Sequence, residues 1–156
     1  MNEEESIDRC YQVISDTATE IAQAYSDYGD LGGYYLGQTS SSLQLRLFRP
    51  LALETSLFLL SILDQSSQHY ADILSDTKKL AEELGVASLD ERLRSYSEAD
   101  ERTNHFLVSC QKVVSHDALY LSMRRKDTPV QETISDKGYV VIKRAAKEIQ
   151  EVAASL

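Results

Sequence analysis

Histidines and neighbouring nucleophiles are the residue types in this chain that could bind a metal ion or move a proton. The histidines are His69, His105 and His116, and no Cys or His lies three or four residues from either of the last two. Two metal ligands on one helix are usually three or four residues apart. Since neither histidine has such a neighbour, we predict no metal site. Ser115, His116 and Asp117 have the residue types of a catalytic triad. Neighbours on a helix point about 100° apart, however, and cannot converge on one substrate atom.

Carboxylate pairs and a glycine-rich segment are the other candidates for chemistry. The acidic pairs are Glu82-Glu83, Asp90-Glu91 and Asp100-Glu101, which we expect to lie on the solvated faces of amphipathic helices. The glycine-rich residues 29–37 contain neither GxGxxG nor GxxxxGK[ST], the patterns that bind phosphate or a dinucleotide. We therefore predict no catalytic residues, no cofactor and no enzymatic activity.

Four tyrosines lie in or next to the glycine-rich segment: Tyr25, Tyr28, Tyr34 and Tyr35. Two interpretations are open. These rings either line a groove for a ligand or partner, or they pack a helical hairpin against its own connection. A ligand pocket here would lie between the central helix, near Phe58, and the tyrosine-rich connection.

Positive charge is concentrated late in the chain. The formal net charge is −9, but residues 1–102 carry 8 basic and 19 acidic residues, whereas residues 103–156 carry 8 and 6. The acidic balance argues against nucleic acid as a partner, because phosphate binding depends on Lys and Arg. The basic end could contact an anionic membrane or an acidic partner. The candidate contact residues are Arg124, Arg125, Lys126, Lys143, Arg144 and Lys147.

Several features favour a cytoplasmic location. Residues 1–6 are acidic and polar, unlike a signal peptide. The most apolar stretch, residues 43–63, has charged residues such as Glu54 within it, which are costly in a membrane span. Cys10 and Cys110 belong to no CxxC motif, so we predict two reduced, buried thiols.

Apolar periodicity predicts helices on both sides of a Gly/Ser-rich connection. Residues 5–28 carry an apolar stripe with a seven-residue repeat from Ile7. Residues 29–49 form the connection within a single domain of residues 1–156. We expect the next helix to start near Pro50 and to be buried on all sides from Leu51 to Leu63.

The second half of the chain predicts further helices. An amphipathic pattern extends to Gly85, a natural C-terminal cap, and Ser88 with Glu91 forms a capping box. From there one long helix is expected over residues 88–126, followed by a return helix from Thr128. Residues 138–142 contain a glycine and three β-branched residues, which leaves a strand or a break open there. The predicted fold is all-α, a bundle of four to five helices with one long helical hairpin.

Two short stretches carry a resemblance to a known family. Asp30–Tyr35 reads DLGGYY beside a long first helix, and Leu121–Gln131 reads LSMRRKDTPVQ at the end of a long late helix. Together they resemble the BAR-type helical region of sorting nexins. The resemblance implies an elongated antiparallel dimer that binds curved, anionic membranes through basic residues, here the six cations named above.

The sequence thus predicts a non-enzymatic interaction or adaptor module that acts through its helices. It would bury an apolar stripe, from residues 7–28 or 89–121, against a protein partner or a second copy. One alternative is a peripheral membrane-binding scaffold of BAR type. The other is a small-ligand sensor with its pocket beside the tyrosine-rich connection.

Overall fold

The computed structural model describes residues 1–28, 34–35, 38–125 and 128–156, with side chains described for residues 1–24, 44–116 and 136–156. These ranges contain six helices and one pair of two-residue strands. In chain order they are α1 (Glu3–Tyr28), β1 (Tyr34–Tyr35), β2 (Gln38–Thr39), α2 (Ser40–Ile62), α3 (Gln68–Glu83), α4 (Leu89–Glu98), α5 (Arg102–Arg125) and α6 (Thr128–Ala153). The all-α class is confirmed, but the predicted count of four or five helices is not. None of the helices in these ranges combines the length and apolarity that a membrane span requires.

Helix α2 is the centre of the bundle. All residues from Leu51 to Leu60 are buried, as expected for a helix that is apolar on every side. It packs against α1, α3, α4 and α5, and α6 packs against α1 and α5. Val114 of α5 lies against Gly138, while Leu107 lies near Ala146, so α5 and α6 run antiparallel.

The predicted helix start near Pro50 is wrong. Helix α2 begins at Ser40 and contains Pro50 in its interior, so the connection is shorter than residues 29–49. Proline is unfavourable inside a helix because it lacks the N–H group that donates the helical hydrogen bond. Leu47, one turn earlier, is fully buried, and we attribute the helix before Pro50 to that packing.

The single helix expected over residues 88–126 is also wrong, since α4 ends at Glu98 and α5 begins at Arg102. Ala99 between them is extended, with φ −66° and ψ 134°. The Arg102 guanidinium holds this corner by donating to the carbonyl oxygens of Ser61 at 2.7 Å and Ser97 at 3.2 Å. The long hairpin with an unbroken first arm is therefore not confirmed.

Local signals at the other helix ends agree better with the structure. Gly85 has φ +70°, and the N–H groups of Gly85 and Val86 bond to the carbonyls of Glu82 and Ala81, which closes α3 with a Schellman cap. Ser88 is the N-cap of α4, but its side chain makes no capping hydrogen bond. Residues 138–142, left open in the sequence, are helical and lie inside α6.

Candidate functional site

A cleft of about 630 Å³ lies between the first half of α2, the residues around the end of α3, α4 and the middle of α5. We call it the basic cleft. Its described lining residues come from these four parts of the chain and comprise Arg46, Pro50, Leu53, Glu54, Leu84, Val86, Arg92, Ser95, Tyr96, His105, Ser109, Lys112, Val113 and His116. A volume of this size suits a small organic ligand.

The charge of this lining is opposite to that of the whole chain. Among the described lining residues, Arg46, Arg92 and Lys112 are cations and Glu54 is a carboxylate, so the formal charge of these four is +2 in a chain of net −9. Lys112 is exposed and has no ion-pair partner among the described residues. Clefts lined by one sign of charge focus the electrostatic field and attract ligands of the opposite sign.

Glu54 is the buried charge of the cleft wall. Its side chain is 3% exposed, and it forms an ion pair with the guanidinium of Arg92, whose side chain is 33% exposed. The hydroxyl of Tyr96 donates a second bond to Glu54, at 2.6 Å. A buried carboxylate is stable only when it is paired and hydrogen-bonded, so these contacts link α2 to α4 and set the shape of the cleft.

Tyr96 extends this network across the cleft. Burial raises the pKa of the Tyr96 hydroxyl, so this group stays protonated and donates its hydrogen bond to Glu54. The side chain of Ser109 also hydrogen-bonds the Tyr96 hydroxyl. The ring of Tyr96 meets the ring of His105 edge-on, with centroids 4.4 Å apart. The side chains of Ser95 and His105 also form a hydrogen bond, with Oγ and Nε2 2.9 Å apart.

A Ser–His pair is one component of nucleophilic catalysis, in which a third group orients the imidazole. No carboxylate among the described side chains hydrogen-bonds His105. Likewise, the described residues include no group of three or more His, Cys, Asp or Glu that could hold a metal ion. The described lining of the cleft presents hydroxyls, imidazoles, Arg and Lys side chains and the Glu54 carboxylate.

The predicted basic surface is only partly described, and its described members do not form one patch. Lys126 and the side chains of Arg124 and Arg125 lie outside the described residues. Arg144 points to α1, where it pairs with Glu20 at 2.5 Å. Lys143 and Lys147 line a depression on the α5 side of α6 instead.

The predicted tyrosine groove also falls outside the described side chains. Its four residues are Tyr25, Tyr28, Tyr34 and Tyr35. The backbones of Tyr34 and Tyr35 pair with Thr39 and Gln38 in the short strand pair. Phe58, the expected floor of that pocket, is buried and stacks on Phe106 with centroids 5.1 Å apart. Phe58 is not among the described residues that line the basic cleft.

The two thiols are free and buried, as expected for structural cysteines. Burial raises the pKa of Cys10 to about 11 and also raises that of Cys110. Both are therefore protonated at neutral pH and poor nucleophiles.

The described residues of the apolar stripes expected to bind a partner are in part buried within the chain. Ile7, Ile14 and Ile21 of α1 are buried, and so are Phe106 and Val114 of α5. Among the described residues, the exposed large apolar side chains are scattered: Met1, Leu45, Val108 and Val140.

Sequence reasoning did not find the basic cleft. Its signal is Glu54, a carboxylate within the most apolar stretch of the chain, because a charge at such a position needs a buried partner. That residue argues against a membrane span, but its partners, Arg92 and Tyr96, carry no local pattern that would identify them.

Comparisons with protein-family models, curated proteins and solved structures found no match to this chain. The resemblance to the BAR-type region of sorting nexins therefore stays a prediction.

Proposed function

We propose that this chain is a non-enzymatic helical binding module that takes a small ligand in the basic cleft. The observation that carries the proposal is a cleft of about 630 Å³ whose walls combine charged, hydroxyl and apolar side chains from separate helices. Ligand sites in proteins have this composition, with a few convergent polar groups on a mainly apolar surface.

Two features make the cleft suitable for a ligand. Its wall is held by the Glu54 network, so the site needs little reorganisation when a ligand enters. Pro50, Leu53 and Val113 offer an apolar surface beside the polar groups.

A ligand panel tests this function. The purified chain is heated with adenosine, AMP, phenol, benzoate, phenyl phosphate or spermidine, and the unfolding temperature is recorded by circular dichroism. A ligand at a hundred times its Kd stabilises the folded state by about 2.7 kcal/mol. For a domain of this size that corresponds to a rise of roughly 5 to 10 °C.

A pair of serine substitutions on α4 locates the binding. Ser95 lines the cleft, so Ser95→Trp fills its mouth and is expected to abolish the stabilisation. Ser97 is exposed on the same helix outside the lining, and Ser97→Trp is the matched control. The proposal is overturned if no compound in the panel raises the unfolding temperature, or if Ser95→Trp leaves the rise unchanged.

Helix-mediated assembly with a protein partner, the BAR-like membrane scaffold and the cytoplasmic location stay predictions from the sequence. Much of the α1 stripe is buried within the chain, while Leu89, Leu93 and Leu107 of the second stripe are only partly buried. Sedimentation and vesicle binding at low salt test the first two directly.

A further inference from the structure

We infer that the ligand of the basic cleft has an anionic head group, a carboxylate or a phosphate, on an apolar body, and that Lys112 and His116 bind the head group. The inference rests on the proposed function and adds the chemical class of the ligand. The side chains of the described lining that are unpaired in the folded chain identify this class.

Most polar side chains of the described lining already have a partner within the chain. Those whose contacts are given above are Glu54, Arg92, Tyr96, Ser109, Ser95 and His105. A ligand that bonded to them would compete with contacts that hold α2, α4 and α5 together. Arg46 has a partner as well. Exchanging one hydrogen bond for another adds little affinity, so these groups do not select the ligand.

Lys112 and His116 are the polar lining residues that have no hydrogen-bond or ion-pair partner among the described residues. They lie one helical turn apart on α5, so their side chains are neighbours on one face of the helix, and both are exposed. An ammonium group donates hydrogen bonds and accepts none, and an imidazole has at least one N–H donor in either protonation state. The group that meets both side chains is therefore an acceptor, and the charge of Lys112 favours an anionic one.

The positive charge of Lys112 also disfavours other classes of ligand. A neutral ligand that covered the ammonium group would remove water from it without supplying a charged partner, which costs free energy. A cationic ligand would add repulsion between like charges at the same place. The α5 wall of the cleft therefore discriminates between ligands by their charge.

The body of the ligand is indicated by apolar side chains in the same lining. Those that are only half-buried come from α2, the end of α3 and α5, and they are Pro50, Leu84, Val86 and Val113. Covering the exposed part of these side chains is favourable, because it removes apolar surface from water. A small inorganic anion would leave this surface wet, whereas a ring or an alkyl chain attached to the anion would bury it.

Isothermal titration at neutral pH with compounds that share a phenyl ring tests the inference. Phenylacetate and phenyl phosphate carry the two anionic head groups, benzyl alcohol is neutral and benzylamine is cationic. The tighter of the two anions is expected to bind at least about tenfold more tightly than either benzyl compound, because hydrogen bonds to charged groups are stronger than neutral ones. It is also expected to bind about tenfold more tightly than acetate or inorganic phosphate, which lack the apolar body.

The comparison between phenylacetate and phenyl phosphate identifies the head group. Either order supports an anionic ligand. Binding of benzyl alcohol or benzylamine that is as tight as binding of both anions overturns the inference, and so does binding of acetate or inorganic phosphate that is as tight as binding of the aromatic anions.

A pair of charge-removing substitutions gives the second readout. Lys112→Met keeps most of the length of the side chain, and it is expected to weaken binding of the tighter anion by about tenfold and to leave benzyl alcohol binding unchanged. Lys78→Met makes the same change of net charge on an exposed residue of α3 outside the described lining, so it is the matched control. Equal losses in the two variants, or no loss with Lys112→Met, overturn the inference.

The substitution His116→Leu tests the second donor. It is expected to weaken the tighter anion more than benzyl alcohol, because the imidazole contacts the head group and not the ring. A loss that is the same for both compounds overturns the assignment of His116 to the head group.

The two proposals fail differently. If benzyl alcohol or benzylamine binds in a manner blocked by Ser95→Trp, but an anionic head group adds no affinity, the class of ligand is wrong and the binding function stands. If nothing in this series or in the ligand panel binds, both are wrong.

Discussion

In the Glu54–Arg92 ion pair, removing the arginine is expected to cost more stability than removing the charge of the glutamate. Arg92→Met leaves a carboxylate whose side chain is 3% exposed with Tyr96 as its remaining described partner. Removing one partner of a buried pair costs about 3 to 5 kcal/mol, and we expect about 3 because water can enter where Arg92 was. Glu54→Gln removes the buried charge and keeps an acceptor for Tyr96, while Arg92, 33% exposed, turns to solvent. Its expected cost is about 1 kcal/mol.

The double variant, Glu54→Gln with Arg92→Met, is the decisive member of the series. It lacks the uncompensated charge, so it should be more stable than Arg92→Met alone, by about 2 kcal/mol. Urea unfolding followed by circular dichroism at 222 nm measures each free energy of unfolding, since the chain has no Trp.

The matched control is Arg9→Met, which breaks the ion pair with Glu148 on the surface. Both side chains of that pair are 42% exposed, and the expected loss is below about 1 kcal/mol. The reasoning is refuted if Glu54→Gln costs as much as Arg92→Met, or if the double variant is no more stable than Arg92→Met.

Two further predictions concern the packing and the pH dependence of the fold. Gly138→Ala should destabilise the chain despite a gain of about 1 kcal/mol in helix propensity, because the new Cβ would overlap Cγ1 of the buried Val114 and overpacking costs about 1 to 3 kcal/mol. Adding Val114→Ala should relieve that cost, and thermal unfolding that shows additive losses would contradict the close approach. Burial raises the pKa of Cys10 from 9.0 to about 11, so its contribution to stability is complete below pH 9 and is lost as the pH rises to 11. Urea unfolding across this window should show a loss of roughly 2 to 3 kcal/mol from this thiol, and Cys10→Ala, which has no thiol to titrate, should show a smaller decline than the unaltered chain.

Some failures of the sequence interpretation have a common physical cause. Pro50 favours a helix start by about 3 kcal/mol, and the stretch from Ser88 favours one long helix by a smaller amount. Burial of Leu47 before the proline, and the bonds of Arg102 at the corner after Ala99, are tertiary contacts that outweigh them. Local propensities contribute about 1 kcal/mol per residue, except for a larger effect of Pro, and packing routinely overrides them.

The sequence by itself determined the all-α class, the buried central helix, the apolar face of α1 and the burial of Cys10 and Cys110. These properties follow from periodicity and composition, because an amphipathic helix must bury its apolar face somewhere. Tertiary structure decided where the cleft of the proposed binding function lies. Tyr96 bonds to Glu54 across 42 residues of chain, and Lys112 joins them from another helix. No local pattern encodes which faces of separate helices meet, so the basic cleft exists only in the packed fold.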